Sequence, residues 1–195
     1  PRMPRRADGS SWAPVIVGLF FVGWLLVTSF HQIGPKEQGV VTTFGRFSRT
    51  ILPGVSMTLP WPFQAVSVTD VTSIRRDTIP DSEVEKLMLT ADKNLVDLSY
   101  LVRWTIKDLK LYKFRLEDPE TTVKEVAEAA MRATVAEVPL NDVIGGNGRG
   151  LIEQNVRVRM QAVLDAYRAG VLIQGVELKK TDPPEKVVAA FQSVN

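Results

Sequence analysis

The sequence predicts an α+β domain hung from a single N-terminal membrane-spanning helix. Three observations carry this. Ala13 to Phe30 is an apolar run inside a stretch without charge. Leu95 to Ile106 alternates between apolar and polar residues with only Leu101 out of place, the period of a half-buried strand. Beyond it, apolar residues recur at helical spacing in two long segments, with one more strand after them.

The anchor comes first. No Asp, Glu, Lys or Arg lies between Gly9 and Pro35. Ala13–Phe30 would extend about 27 Å as a helix, close to the thickness of a hydrocarbon core. Its Val, Ile, Leu and Phe residues contribute on the order of −3 to −7 kcal/mol of insertion, less what Pro14, Gly18, Gly23, Thr28 and Ser29 subtract. The membrane-facing residues expected are Trp12, Val15, Ile16, Leu19, Phe20, Phe21, Trp24, Leu25, Leu26 and Phe30. A cleaved signal peptide has a shorter apolar region and a small-residue cleavage site, and Val27-Thr28-Ser29 is a poor one. A buried core helix would rarely be so uniformly apolar. Arg2, Arg5 and Arg6 precede the run, while Lys36 and Glu37 follow it and cancel. The positive-inside rule therefore places the N-terminus in the cytoplasm and the body outside it.

Composition narrows the function. The chain has 195 residues and a formal charge of +2. The first eight residues account for that excess, and the remainder holds as many acids as bases. Nucleic acid would require a concentrated basic face, and none is visible. Cysteine is absent, which excludes disulfides, thiol catalysis and thiolate metal sites. His31 is the one histidine, so neither a zinc-protease motif nor a Ser-His-Asp triad can be assembled around it. It reads as an interfacial polar residue.

Along the body, Gln38–Phe47 reads as a strand broken at Gly45, and Leu52-Pro53-Gly54 as a turn. Leu59-Pro60-Trp61-Pro62-Phe63 cannot be a central strand, because two prolines would remove ladder donors. Leu59, Trp61 and Phe63 are thus held on a stiff loop. Two readings stay open for it: local core packing, or a loop resting on the bilayer surface, where Trp is favoured. Ala65–Ile79 reads as a bent strand and Val84–Leu89 as a short one. In Leu95–Ile106, the residues Val96, Leu98, Tyr100, Val102, Trp104 and Ile106 form one face. Leu109–Phe114 is a short helix.

Asp118-Pro119 opens a longer helix as N-cap and first residue. Its buried stripe is Val123, Val126, Ala127, Ala130 and Met131. Pro139 and Gly145-Gly146-Asn147-Gly148 punctuate the chain. A second helix follows from about Arg149 to Ala169, with Ile152, Val156, Met160, Val163, Leu164 and Tyr167 as its stripe and Gly170 as its stop. Val171–Lys180 is a strand with a bulge near Gly175. Asp182-Pro183-Pro184 begins a last helix carrying Val187, Phe191 and Val194, an apolar stripe started and not finished. The expectation is a fragment whose last helix continues into a longer assembly segment.

No chemical site emerges. Gly146-Asn147-Gly148-Arg149-Gly150 lacks the G-K-[ST] ending of a phosphate loop. Ser82 and Lys86 leave a Ser-Lys dyad formally open, but at a spacing common by chance. Glu125 and Glu128 read as a solvated face, with nothing apolar to raise a carboxyl pKa. The residues favour a binding or assembly module over an enzyme, with no cofactor and no metal.

The ordered series Ile33-Gly34-Pro35-Lys36-Glu37-Gln38-Gly39-Val40-Val41, Phe44-Gly45-Arg46, Leu52-Pro53-Gly54 and Leu59-Pro60-Trp61-Pro62-Phe63 resembles the opening of the SPFH (band 7) family of stomatin, prohibitin, flotillin and HflK/HflC. Met88-Leu89-Thr90, Arg103-Trp104, Ile106-Lys107-Asp108, Glu128-Ala129-Ala130-Met131-Arg132, Leu164-Asp165-Ala166-Tyr167 and Asp182-Pro183-Pro184-Glu185 are similar to its HflK branch. The resemblance spans Ile33 to Asn195. It implies a bacterial inner-membrane subunit with a periplasmic SPFH domain. Such a subunit pairs with an HflC paralogue in a large hetero-oligomer around the AAA+ protease FtsH, modulates what FtsH degrades, and has no catalytic residues. A stomatin-like scaffold of lipid microdomains, tied to no protease, is the alternative. The organisation expected is a stub (1–11), a span (12–32), a first SPFH subdomain (33–107), a second (108–182) and the start of a coiled segment (183–195). Family members also carry a longer polar N-terminal region and long helices beyond the point where this sequence stops.

Overall fold

The computed structural model describes residues 12–80 and 87–182, the side chains of Asn147, Lys180 and Asp182 excepted. The chain divides into two compact units, one up to Asp70 and one from Val71.

The first unit begins with α1 (Ala13–Ser29) and continues as strands: β1 (Phe30–Ile33), β2 (Glu37–Thr43), β3 (Arg46–Ile51), β4 (Gly54–Met57) and β5 (Gln64–Asp70). β2 is the centre of an antiparallel sheet ordered β3-β2-β5, and β1 pairs separately with β4. Ile33, Val41 and Ile51 form a small core, with Val66 packed against it. The helix is shorter than its sequence suggests. Phe30, counted there with the anchor, is the first residue of β1, and Gln32 is also in that strand. The bent strand expected over 65–79 is in fact two, β5 and β6 (Arg75–Ile79), and they belong to different units.

The second unit is an antiparallel sheet with two long helices on one face. β8 (Leu95–Ile106) is central. β6 (Arg75–Ile79) and β7 (Leu87–Leu89) pair along one side of it and β9 (Val171–Asp182) along the other. The six alternating residues Val96 to Ile106 are all buried, as period two requires. Register sets Leu178, Val176, Ile173 and Val171 of β9 opposite Tyr100, Val102, Trp104 and Ile106. Both strands therefore bury the same face. Two register shifts interrupt the pairing, one of them beside Gly175.

α2 (Leu109–Phe114), α3 (Pro119–Val135), α4 (Leu140–Ile144) and α5 (Gly146–Ala166) complete the unit. All five stripe residues expected for α3 are buried. In α5, Ile152, Val156, Met160 and Leu164 are buried, but Val163 and Tyr167 are exposed. The glycine run is not a loop. Gly145 joins two helices, and α5 starts at Gly146 rather than near Arg149. Gly148 lies in the first turn of α5 against the backbone of Asp142, where a Cβ would collide. α5 stops before Gly170: its cap is Tyr167, and Arg168 already has positive φ.

Asp118 caps α3, accepting from the Thr121 amide at 3.1 Å and the Thr121 hydroxyl at 2.7 Å. The hydroxyl first, then the amide, hold its carboxyl below the ordinary value of 3.8. A depressed folded pKa means that this cap stabilises the fold fully above 3.8. The contribution is lost as pH falls through the lower folded value. Asp118→Ala is expected to lower the urea midpoint near neutral pH and to converge with the parent well below 3.8. Asp118→Asn should keep most of the cap and flatten that acid-side dependence. Urea titrations at two pH values check both.

α5 also guards the sheet. Gln161 accepts from the Ile173 amide at 2.9 Å and donates to the Val171 carbonyl at 3.1 Å. Glu153 accepts from the Leu178 amide at 2.8 Å, and Arg149 donates to the Leu178 carbonyl. Four main-chain groups of β9 are thus taken by helix side chains rather than left to a neighbouring strand.

Candidate functional site

α1 has 17 residues, no charge and no buried side chain. An apolar helix with every side chain outside the core has surface that water penalises by about 25 cal/mol per Å². The Thr28 hydroxyl is satisfied within the helix, donating to the Trp24 carbonyl at 2.8 Å. Among the described residues, no helix is long and apolar enough to cross a membrane.

The proline-broken loop starts at the foot of this helix. Antiparallel pairing sets Met57, the last residue of β4, opposite Phe30. The Thr58 amide then donates to the Ser29 carbonyl at 2.9 Å, and the Thr58 hydroxyl lies 3.3 Å from His31 Nδ1. Gln64 staples the loop. Its Oε1 accepts from the Leu59 amide at 2.9 Å and its Nε2 donates to Thr43 Oγ1 at 3.1 Å. Held this way, Leu59, Trp61 and Phe63 remain 56%, 63% and 50% exposed.

A fourth apolar residue joins them that sequence reasoning missed. Phe44 sits at the tip of the β2–β3 hairpin, 75% exposed. Its amide donates to the Phe63 carbonyl at 3.3 Å, and the two rings meet edge to face at 6.0 Å. Phe44 and Gly45 both have positive φ. A two-residue hairpin turn of that kind ordinarily takes Asn, Asp or Gly first. An aromatic residue held there at a cost of about 1–3 kcal/mol was the available signal.

The second unit holds a different arrangement. Trp104 Nε1 donates to Asp77 Oδ2 at 2.7 Å. The Arg75 guanidinium lies over the Trp104 and Tyr112 rings, 5.2 and 5.8 Å from their centroids. Burial, then the Glu120 charge, pushes the Tyr112 hydroxyl pKa up. Burial pushes that of Tyr100 further in the same direction. The Tyr112 hydroxyl donates to Glu120 at 3.4 Å, whereas the Tyr100 hydroxyl is buried without a hydrogen-bond partner. Val163 and Tyr167, which share the helical spacing of the α5 stripe, line an open cavity of about 660 Å³ between α3 and α5, with Ala129, Ala133 and Ala162. Arg159 at its rim pairs with Glu137 at 2.5 Å.

Among the described residues, no group of three or more His, Asp or Glu could hold a metal. Glu128 pairs with Arg132 one helical turn on, as a solvated face would. Ser82 and Lys86 lie outside the described residues, as do Val187, Phe191 and Val194. What the structure brings together is apolar surface at the foot of α1: Leu59, Trp61, Phe63 and Phe44.

Comparison with known proteins agrees in extent. The SPFH domain / Band 7 family matches residues 31–195. Protein HflK of Borreliella burgdorferi is 28% identical over 193 residues, covering 93% of this chain and 62% of that protein. Protein HflK of Vibrio cholerae is 30% identical over 177 residues, covering 91% and 43%. The Modulator of FtsH protease HflK of Escherichia coli is 22% identical over 188 residues, covering 96% and 43%. The chain thus spans about half the length of these curated relatives. It belongs to the SPFH domain / Band 7 family, within the HflK branch.

Proposed function

We propose that this chain is a non-enzymatic, membrane-anchored scaffold subunit. With an HflC paralogue it would build a large hetero-oligomer around the membrane protease FtsH in the bacterial inner membrane, modulate that protease, and enclose a patch of lipid. The observation that carries this is the family match across residues 31–195, together with the name of the Escherichia coli relative. The exposed apolar surfaces support it as surfaces suited to contact with lipid or a partner chain.

In this reading α1 is the anchor, the N-terminal stub is cytoplasmic and the body is periplasmic. Seventeen residues lie at the short end of what spans a hydrocarbon core. Flanking Trp12 and Phe30, or a locally thinned bilayer, would cover the difference. Extraction in mild detergent is the test. A particle far larger than one chain, containing both HflC and FtsH, is expected. A small species with neither would overturn the reading, and a large lipid-rich particle without protease would favour the stomatin-like alternative.

Leu59, Trp61 and Phe63 complete the proposal as a loop resting on the outer surface of the bilayer. A form lacking α1 should still sediment with phospholipid vesicles. Replacing Trp61 and Phe63 together by Ser should weaken that association roughly tenfold or more, as expected for two aromatic side chains withdrawn from apolar contact. Unchanged sedimentation would show that neither ring touches lipid.

A further inference from the structure

From Gln38 to Thr69 the chain contains no Asp or Glu and two cations, Arg46 and Arg49, both on β3. A surface with basic groups, no carboxylates and many exposed apolar residues suits an anionic amphiphile. One of the two arginines also faces a pocket. Ser48, Arg49, Met57, Thr58, Leu59 and Gln64 line a cavity of about 430 Å³. Its walls are fixed by bonds already described, Thr58 to Ser29 and His31, and Gln64 to Leu59 and Thr43. Arg49 spans the strands, donating from Nη2 to the Met57 carbonyl at 2.6 Å. A guanidinium has five N–H donors in a planar fork, so most remain for an oxyanion. No described acidic side chain forms an ion pair with Arg49. The exposed side chains of Met57 and Leu59 form the apolar side of the same pocket.

We propose that this pocket binds the phosphate of an anionic phospholipid headgroup. Arg49 forms the forked contact, Ser48 adds a hydroxyl, and the acyl chains run along Met57 and Leu59. Depth supports the assignment. Met57 stands opposite Phe30, the residue immediately after α1, so the pocket lies level with the end of the apolar helix. None of the residues lining the pocket is acidic, so it offers no carboxylate to the cationic amine of a zwitterionic headgroup. The inference rests on α1 being the membrane anchor.

The experiment uses the full chain in nanodiscs of phosphatidylcholine containing a minority of phosphatidylglycerol. Lipids retained after gentle detergent release are counted by native mass spectrometry. Phosphatidylglycerol is expected to be enriched about fivefold over its bulk share, the preference that one interfacial arginine confers. Arg49→Ala should return it to the bulk share. Arg49→Lys should keep part of the enrichment, and Arg46→Ala most of it. Ser48→Ala, which leaves the strand contacts intact, should weaken enrichment and guards against a folding defect in the arginine variant. Equal retention of both lipids by the parent, or unchanged enrichment in Arg49→Ala, overturns the proposal. Loss of the lipid on adding millimolar inorganic phosphate would assign the pocket to free phosphate and overturn it too. Failure of the parent chain to stay in the nanodisc is a separate outcome and sinks the anchor itself.

Discussion

Trp104→Ala is expected to destabilise the second unit by about 4–5 kcal/mol, the upper part of the range for truncating a buried aromatic. The ring is 1% exposed, at the centre of β8. Three effects act together. The cavity is hemmed in on both sides, because Trp104 stands opposite Arg75 on β6 and Ile173 on β9, next to the irregularity at Arg103. The half-buried Asp77 carboxylate loses the indole N–H that it accepts at 2.7 Å. Arg75 loses one of the two rings beneath it. Trp104→Phe separates these effects. It keeps most of the volume and an aromatic face while removing the donor, and should cost about 1–3 kcal/mol. Thermal unfolding of the full chain checks both: the alanine variant should melt roughly 10 °C or more below the parent and the phenylalanine variant only a few degrees below. Equal losses would mean that the Asp77 bond, rather than packing, dominates.

Gly170→Val is expected to be nearly as damaging, at about 3–5 kcal/mol, with Gly170→Ala close behind. Gly170 has φ +68, a conformation that valine avoids, and it is also crowded. A Cβ there would lie 2.8 Å from the Tyr112 nitrogen and 3.0 Å from Leu111 Cβ, and closer still to the Asp108 carbonyl. The same residue's carbonyl accepts from the Lys107 and Asp108 amides at 2.8 and 3.1 Å. The site is therefore the junction where β8 ends, α2 begins and the chain enters β9. Limited proteolysis should find new cleavage at 107–112 and 167–171 in the variant. A variant as protease-resistant as the parent would refute this account of the junction.

These two residues also show which parts of the fold could be read in advance. Trp104 could be placed because β8 buries one face along its whole length, so alternation alone names the core. Asp118-Pro119 could be placed because capping is local chemistry. Gly170 was noticed as a helix stop, yet its role is a close approach to α2, a contact between segments far apart in sequence. The same limit explains β1 and β4. Each has only four residues, and their pairing depends on chain closure rather than on pattern. Val163 and Tyr167 keep helical spacing with the core of α5, but the facing residues of α3 are alanines that do not reach them, so periodicity overstated the buried stripe. At the candidate surface, the prolines around Trp61 announced a stiff loop but could not say what it touched. Phe44 went unnoticed because Gly45 beside it explains the turn on its own. The pocket around Arg49 needs β3 and β4 side by side, which no local pattern specifies.

The side chains of Gln161, Glu153 and Arg149 along β9 have a consequence for life at high density. In the proposed membrane setting, chains confined to a plane would meet one another repeatedly in similar orientations, conditions that favour runaway stacking of bare strands into fibres. Here the main-chain groups of Val171, Ile173 and Leu178 are occupied from within the same unit. At these positions a neighbour meets side chains in place of free backbone. Encounters of that kind can be selective and can come apart again, whereas zippered backbone offers neither property.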